Sequence, residues 1–224
     1  LAAAPTLLAG KADDKVQCSF PRVGNLCDAF KPMSKITGLL LAAGAGRRFG
    51  QDKLTHALPN GELLAARACR NLAAGVDEVL AVVRPGNGML ADSLTAQGAK
   101  VVVFADADLG MGSSLAFAVQ ACPDAGGWLV ALADMPWIAP ATISRLAESL
   151  RAGAAIVAPR YQGRRGHPVG FAGRFGGELT SLSGDSGAKS VISAHLHHLL
   201  IIDCDDPGVL RDVDRPADLT HLIL

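Results

Sequence analysis

Three glycines, two arginines and a lysine crowd into LAAGAGRRFGQDK (Leu41 to Lys53), directly behind the apolar run Ile36 to Ala43. Glycines that follow a strand expose backbone N–H groups, and with no side chain in the way those groups bind phosphate oxygens well. Gly44, Gly46 and Gly50 supply the backbone freedom, while Arg47, Arg48 and Lys53 supply the charge. The stretch reads as a grip for a polyphosphate, with Lys53 pairing to triphosphate oxygens. Two common phosphate loops fail on spacing. A Walker loop needs GxxxxGK followed by Ser or Thr, but Lys53 stands three residues beyond Gly50 and Leu54 follows it. A dinucleotide loop needs GxGxxG and an acidic end to the second strand, whereas this chain has GxGxxxG, and Arg84 follows Val83.

Carboxylates supply the second half of the chemistry. Asp134, in LVALADMPWI, comes immediately after an apolar strand pattern, at the sheet edge where the glycine loop also lies. A carboxylate there suits Mg²⁺, which combines one or two carboxylates with substrate phosphates; capping the next turn is the plainer role. Pro136 sets the turn that aims it. Gly112 and Ser113, in GMGSS, mark another strand-to-helix junction, where an N-cap with a tight turn is compatible with backbone contacts to a base or ribose. Asp185 in SGDSGAK reads as a cap, and His195, His197 and His198 lack the i, i+4 pair of a helical zinc site and read as surface.

These residues need a scaffold, and the hydrophobic pattern describes one. ITGLLLAA (Ile36 to Ala43), EVLAVV (Glu78 to Val83), KVVVF (Lys100 to Phe104), WLVALA (Trp128 to Ala133) and AAIVAP (Ala154 to Pro159) have the near-continuous apolar character of strands covered on both faces. Between them, 62–74, 88–97, 113–122 and 140–151 are rich in Ala and Leu at helical spacing, the third with Ser113 as its cap and the last opening on Pro140. The alternation predicts an α/β fold with a doubly wound, mostly parallel sheet between two helical layers, with ligands at the carboxyl ends of the strands. After Pro159 a Gly- and Arg-rich stretch predicts a hairpin or covering loop with HPVGF as a short strand. A helix after SGDSGAK, a strand HLLIID (His198 to Asp203) and a closing helix with Pro216 in its first turn complete the chain. Residues 1–32 show no periodicity and read as an N-terminal extension, poorly ordered or added upstream of a start at Met33; residues 33–224 form one domain.

Composition narrows the classes of function. The 224 residues are half apolar, enough for one sizeable core, and 21 basic residues balance 21 acidic ones. No net charge draws the chain to nucleic acid or an anionic membrane, and no apolar run has the length of a membrane span. Five cysteines, an odd number without CxxC spacing, argue against a disulfide framework or a zinc site and point to a cytoplasmic location.

The loop LAAGAGRRFGQDK resembles the signature loop of the MobA-like nucleotidyltransferase family. LGMGSSL, ADMPWI, GRRGHPVGF, SGDSGAK and DVDRPADL follow in that family's order and spacing, so the resemblance covers about Met33 to the end. Taken together the blocks look most like the molybdenum cofactor cytidylyltransferase branch, with LAAG, GMGSSL and RRGHPVGF weighing on that side against the guanylyltransferases. The resemblance implies a Rossmann-like nucleotidyltransferase fold, with Leu41, Ala42, Ala43, Gly44, Gly46, Arg48, Lys53, Gly112 and Ser113 around the nucleotide, and Lys53, Arg48 and Asp134 acting in catalysis. It implies Mg²⁺, with Mn²⁺ as a substitute, held by Asp134 and Asp214, with Asp212 as the alternative second carboxylate; either could instead cap the helix opening at Pro216. It also implies CTP as substrate, molybdopterin as an acceptor received by Arg165, His167, Pro168 and Asp185, and a molybdoenzyme as recipient of the product. A related enzyme using GTP or another phosphorylated acceptor, and a non-catalytic carrier of the cofactor, are the alternatives.

Overall fold

The computed structural model describes residues 35–44 and 53–222. Its first half repeats strand and helix as the pattern predicts: β1 (Ile36–Ala42), α1 (Leu64–Ala73), β2 (Glu78–Val83), α2 (Gly88–Ala96), β3 (Lys100–Val103), α3 (Met111–Gln120), β4 (Gly127–Leu132) and α4 (Pro140–Arg151). The second half is less regular, with β5 (Ile156–Tyr161), β6 (Arg164–Arg165), β7 (Val169–Ala172), α5 (Gly176–Thr180), α6 (Lys189–Ala194) and β8 (Leu199–Asp203). Among the described residues, no helix is long and apolar enough to cross a membrane.

The eight strands form one sheet in which β3, β2, β1, β4, β7 and β5 lie side by side, β8 pairs with β5, and β6 extends the β5 hairpin. β1 is parallel to both β2 and β4, β2 to β3, and β5 to β8, while β7 runs antiparallel between β4 and β5. The expected strand in HPVGF therefore supplies one of the two antiparallel members of a mostly parallel sheet, the short β6 being the other. The chain winds outward from β1 through β2 to β3 and returns to β4 on the other side of β1. This reversal opens a crevice at the carboxyl end of β1, the usual ligand position in such sheets.

Alternating strand residues build the two cores. Leu40, Ala42, Val79, Ala81, Leu129 and Ala131 pack under α1, α2 and α4, and Leu39, Leu80, Val82, Trp128, Val130 and Phe171 pack under α3, α5 and α6. Side chains of period two on strands covered by helices on both faces account for this three-layer arrangement. α4 begins at Pro140 as expected, where the missing N–H costs nothing. α3 departs from expectation: it starts at Met111, so Ser113 is not its cap but lies in the first turn, its hydroxyl donating to Leu109 O at 3.3 Å. The closing segment is a 3₁₀ helix, Pro216–Leu222.

Candidate functional site

Lys53 stands at the start of a short 3₁₀ turn, and its ammonium is the hub of the site. Nζ donates to Asp134 Oδ2 at 2.8 Å, to Val213 O at 2.9 Å and to Asp214 Oδ1 at 3.2 Å. Burial works against its charge, but hydrogen bonds and attraction from Asp134 and Asp214 outweigh that and hold the ammonium above the ordinary lysine value. Asp134 reaches this point because β4 ends two residues earlier, at Leu132, with Ala133 N donating to Leu41 O at 3.2 Å. Val213 N in turn donates to Asp134 O at 2.9 Å, which brings the C-terminal DVD block beside β4.

Asp134, Asp212 and Asp214 converge so that one carboxylate oxygen from each lies within 4.8 Å of the others. Both readings of the second carboxylate, Asp212 and Asp214, are thus near enough to share a site, and Asp214 is the one that meets Lys53. Asp134 Oδ1 is buried without a hydrogen-bond partner, which is costly unless something positive meets it. An all-oxygen set with one such orphan fits a hard divalent cation. These residues would hold Mg²⁺ or Mn²⁺.

His167 approaches from the hairpin side. Its backbone N–H donates to Val209 O at 2.9 Å, and its side-chain Nδ1 is buried without a hydrogen-bond partner. Burial pushes the imidazole below its ordinary value; Asp134 and Asp212 pull it up, while Arg165 and Lys189 push it down. The net result is a ring kept neutral near neutral pH. Pro168 is buried and joined to His167 by a cis peptide, so it shapes the loop from within. Arg165 is exposed on β6, beyond a two-residue turn whose Gln162 and Gly163 both have positive φ.

The GMGSS block is set by backbone packing. Gly110 has φ +104°, and a Cβ there would collide with Gly184 and the Asp185 carboxylate. Gly112 is buried against the carbonyls of Ser183 and Gly184, with a Cβ lying 2.8 and 2.9 Å from them. Gly112 thus has a packing role: it lets SGDSG lie on the start of α3, which leaves the half-exposed Ser113 and the exposed Asp185 at the surface.

Leu41 and Ala42 end β1 between the ends of β2 and β4, Ala43 follows them buried, and Gly44 beyond is exposed. Gly46 and Arg48, with Arg47 and Gly50, lie outside the described residues. Residues without an expected role also shape this edge. Arg84 Nε donates to Ala43 O at 3.1 Å and its Nη2 meets Asp108 at 3.2 Å, bridging the two blocks expected around the nucleotide. Asn71 Nδ2 donates to Pro136 O and Ile138 O at 2.9 and 3.1 Å, clamping the turn after Asp134. A cation at the end of an apolar strand is a signal legible for Arg84; an Asn inside an amphipathic helix carries none. The three clustered histidines lie before β8, at the opposite sheet edge, where His195 meets Glu178 at 2.9 Å.

Residues 38–199 match the MobA-like NTP transferase domain. The chain is 32% identical over 197 residues to nicotine blue oxidoreductase of Paenarthrobacter nicotinovorans, covering 84% of this chain and 96% of that protein. Its fold is similar to the crystal structure of Rv0371c of Mycobacterium tuberculosis H37Rv, with a TM-score of 0.71, 30% identity, and 84% and 96% of the two chains covered. It is similar too to Rv0371c in complex with manganese, with a TM-score of 0.69, 27% identity, and 84% and 98% covered. Lys53 and Asp134 lie within the matched residues, and Asp212 and Asp214 lie beyond them. The chain belongs to the MobA-like NTP transferase family.

Proposed function

We propose that this protein transfers CMP from CTP to the terminal phosphate of molybdopterin and releases pyrophosphate, with Mg²⁺ or Mn²⁺ held by Asp134 and Asp214. The observation that carries the reading is the convergence of Lys53 with three aspartates at the carboxyl edge of β1 and β4. In this transfer a phosphate oxygen of the acceptor forms a bond to the α-phosphorus while the bond to pyrophosphate breaks. The attacking phosphate monoester has a second pKa near 6 and is already largely deprotonated, so the site needs no general base. Its work is positioning and charge neutralisation.

Each group then has a task. Asp134 and Asp214 would hold a divalent ion, which would supply positive charge to offset that of the phosphates. Lys53, already holding Asp134 and Asp214, offers its ammonium to the triphosphate, and Arg48 adds charge on the leaving side. By the family resemblance, Leu41, Ala42, Ala43, Gly44, Gly46, Gly112 and Ser113 would contact the nucleotide. Neutral His167 hydrogen-bonds the acceptor, and Arg165 and Asp185 border its entry. The manganese complex of the similar Rv0371c structure supports the metal, and the LAAG, GMGSSL and RRGHPVGF blocks support CTP and molybdopterin. A cytoplasmic location and delivery to a molybdoenzyme accompany this reading.

The test is pyrophosphate release from the purified protein with molybdopterin and Mg²⁺, comparing CTP, GTP and ATP. Release confined to CTP is expected. Release with GTP alone would keep the chemistry and replace the nucleotide. No release from folded protein that binds molybdopterin would favour a carrier.

A further inference from the structure

α4 begins without a cap of its own, because Ala139 precedes Pro140 and has no side chain able to accept a hydrogen bond. The cap comes from a residue far along the chain. Asp206 Oδ2 accepts from Ala139 N and from Thr142 Oγ1, both at 2.8 Å. Its other oxygen, Oδ1, accepts from Gly208 N at 2.9 Å. A carboxylate at a helix N-terminus is favourable by itself, but a local cap ties a helix only to its own chain. Here one side chain joins the turn that follows Asp134 to the segment, opening as a 3₁₀ helix over Pro207–Leu210, that leads to Asp214.

The consequence follows from where those two segments go. From Asp134 the chain runs five residues to Ala139; from Asp206 it runs eight to Asp214. The segments are bonded at one end by Val213 N to Asp134 O, 2.9 Å, and at the other by Ala139 N to Asp206. Between these ties Gly208 packs so closely on the Trp137 carbonyl that no Cβ fits, Val209 and Val213 are fully buried, and Val209 O holds the His167 N–H. The result is a closed frame around the carboxylates, and Asp206 is its distal tie.

We propose that Asp206 is a positioning residue that sets the spacing of Asp134, Asp212 and Asp214 by tying the start of α4 to the 206–208 turn. This rests on the reading of those carboxylates as a metal site. Groups that orient metal ligands typically change metal affinity 10- to 100-fold when removed.

Substitutions can separate the tie from the cap. Asp206→Ala removes the tie to Ala139 N together with the cap on Thr142. Thr142→Val weakens the cap and leaves the Ala139 tie in place. Mn²⁺ binding to the full chain, read by loss of the free-ion electron paramagnetic resonance signal without nucleotide, should weaken about 10-fold or more in Asp206→Ala. It should stay within about 2-fold of wild type in Thr142→Val, even where both variants melt at lower temperature. Asp206→Glu, which keeps the charge but lengthens the tie, serves the same comparison if the Ala variant does not fold. A folded Asp206→Ala or Asp206→Glu protein that binds Mn²⁺ as wild type does would overturn the positioning role. Failure of wild type to bind Mn²⁺, or binding unchanged in Asp134→Asn, would instead overturn the metal site.

Discussion

At opposite edges of one sheet, two lysines meet carboxylates in different ways. Lys35, before β1, pairs with Glu78 Oε2 at 2.7 Å, with side chains 53% and 41% exposed; the other Glu78 oxygen accepts from Thr37 at 2.9 Å. Every charge there has a partner of its own and water within reach. Lys53 at the carboxyl edge is only 14% exposed beside Asp134 at 21%, and three aspartates converge there with one oxygen left unpartnered. Balanced, hydrated pairs contribute little and constrain little. A carboxylate oxygen buried without a partner beside two further carboxylates is costly to assemble, and a fold that carries one is arranged for something positive to join it.

The strongest way to break this comparison is Asp134→Ala. Metal-centred charge stabilisation is worth several kcal/mol, so pyrophosphate release should fall by about 100-fold or more while circular dichroism stays native; a rate near wild type would put the chemistry elsewhere. Lys53→Met should come next. A hydrogen bond to a charged group is worth about 1.5–3 kcal/mol, which corresponds to roughly a 10- to 100-fold loss in kcat/KM for the nucleotide, measured by initial rates. An unchanged value would make Lys53 a mere counterion of the aspartates.

His167 sharpens the comparison through pH. Its folded pKa lies below the ordinary 6.5, so as pH falls the unfolded chain takes up the proton first. The neutral, buried ring thus contributes stability fully above about 6.5, and that contribution is lost as pH drops toward the depressed value. Melting temperatures across pH 7.5 to 5 should fall less steeply in His167→Gln than in wild type; parallel curves would show that the ring is not buried as described. The smallest effect belongs to the amino edge, where Glu78→Gln should lower the melting temperature slightly and leave the rate unchanged. A lost rate in that variant would erase the distinction between the two edges.

The carboxyl-edge chemistry was legible in part because strand patterns carry direction. Asp134 follows an apolar run and LAAG follows another, so both had to emerge where parallel strands end. The packing of Gly112 was harder, since a glycine that binds a ligand and one that admits a neighbouring backbone look alike in sequence, and Ser113 missed the cap position because α3 starts at Met111. Asp206 and Asn71 left no signal. Each reaches a turn distant along the chain, Asn71 to Pro136 and Ile138, Asp206 to Ala139 and Thr142, and local spacing cannot encode such a meeting.

By itself, then, the sequence determined which segments become strands and helices, which faces they bury, and that cationic and acidic groups gather at one sheet edge, because periodicity and burial are local properties repeated along the chain. Only the tertiary structure decided that β7 enters antiparallel between β4 and β5, that Lys53 bridges Asp134 and Asp214, and that Asp206 ties the two segments bearing those carboxylates. Those outcomes depend on hydrogen bonds and packing between residues remote in the chain, where a few tenths of an ångström at Gly112 or Gly208 decide what can lie against what.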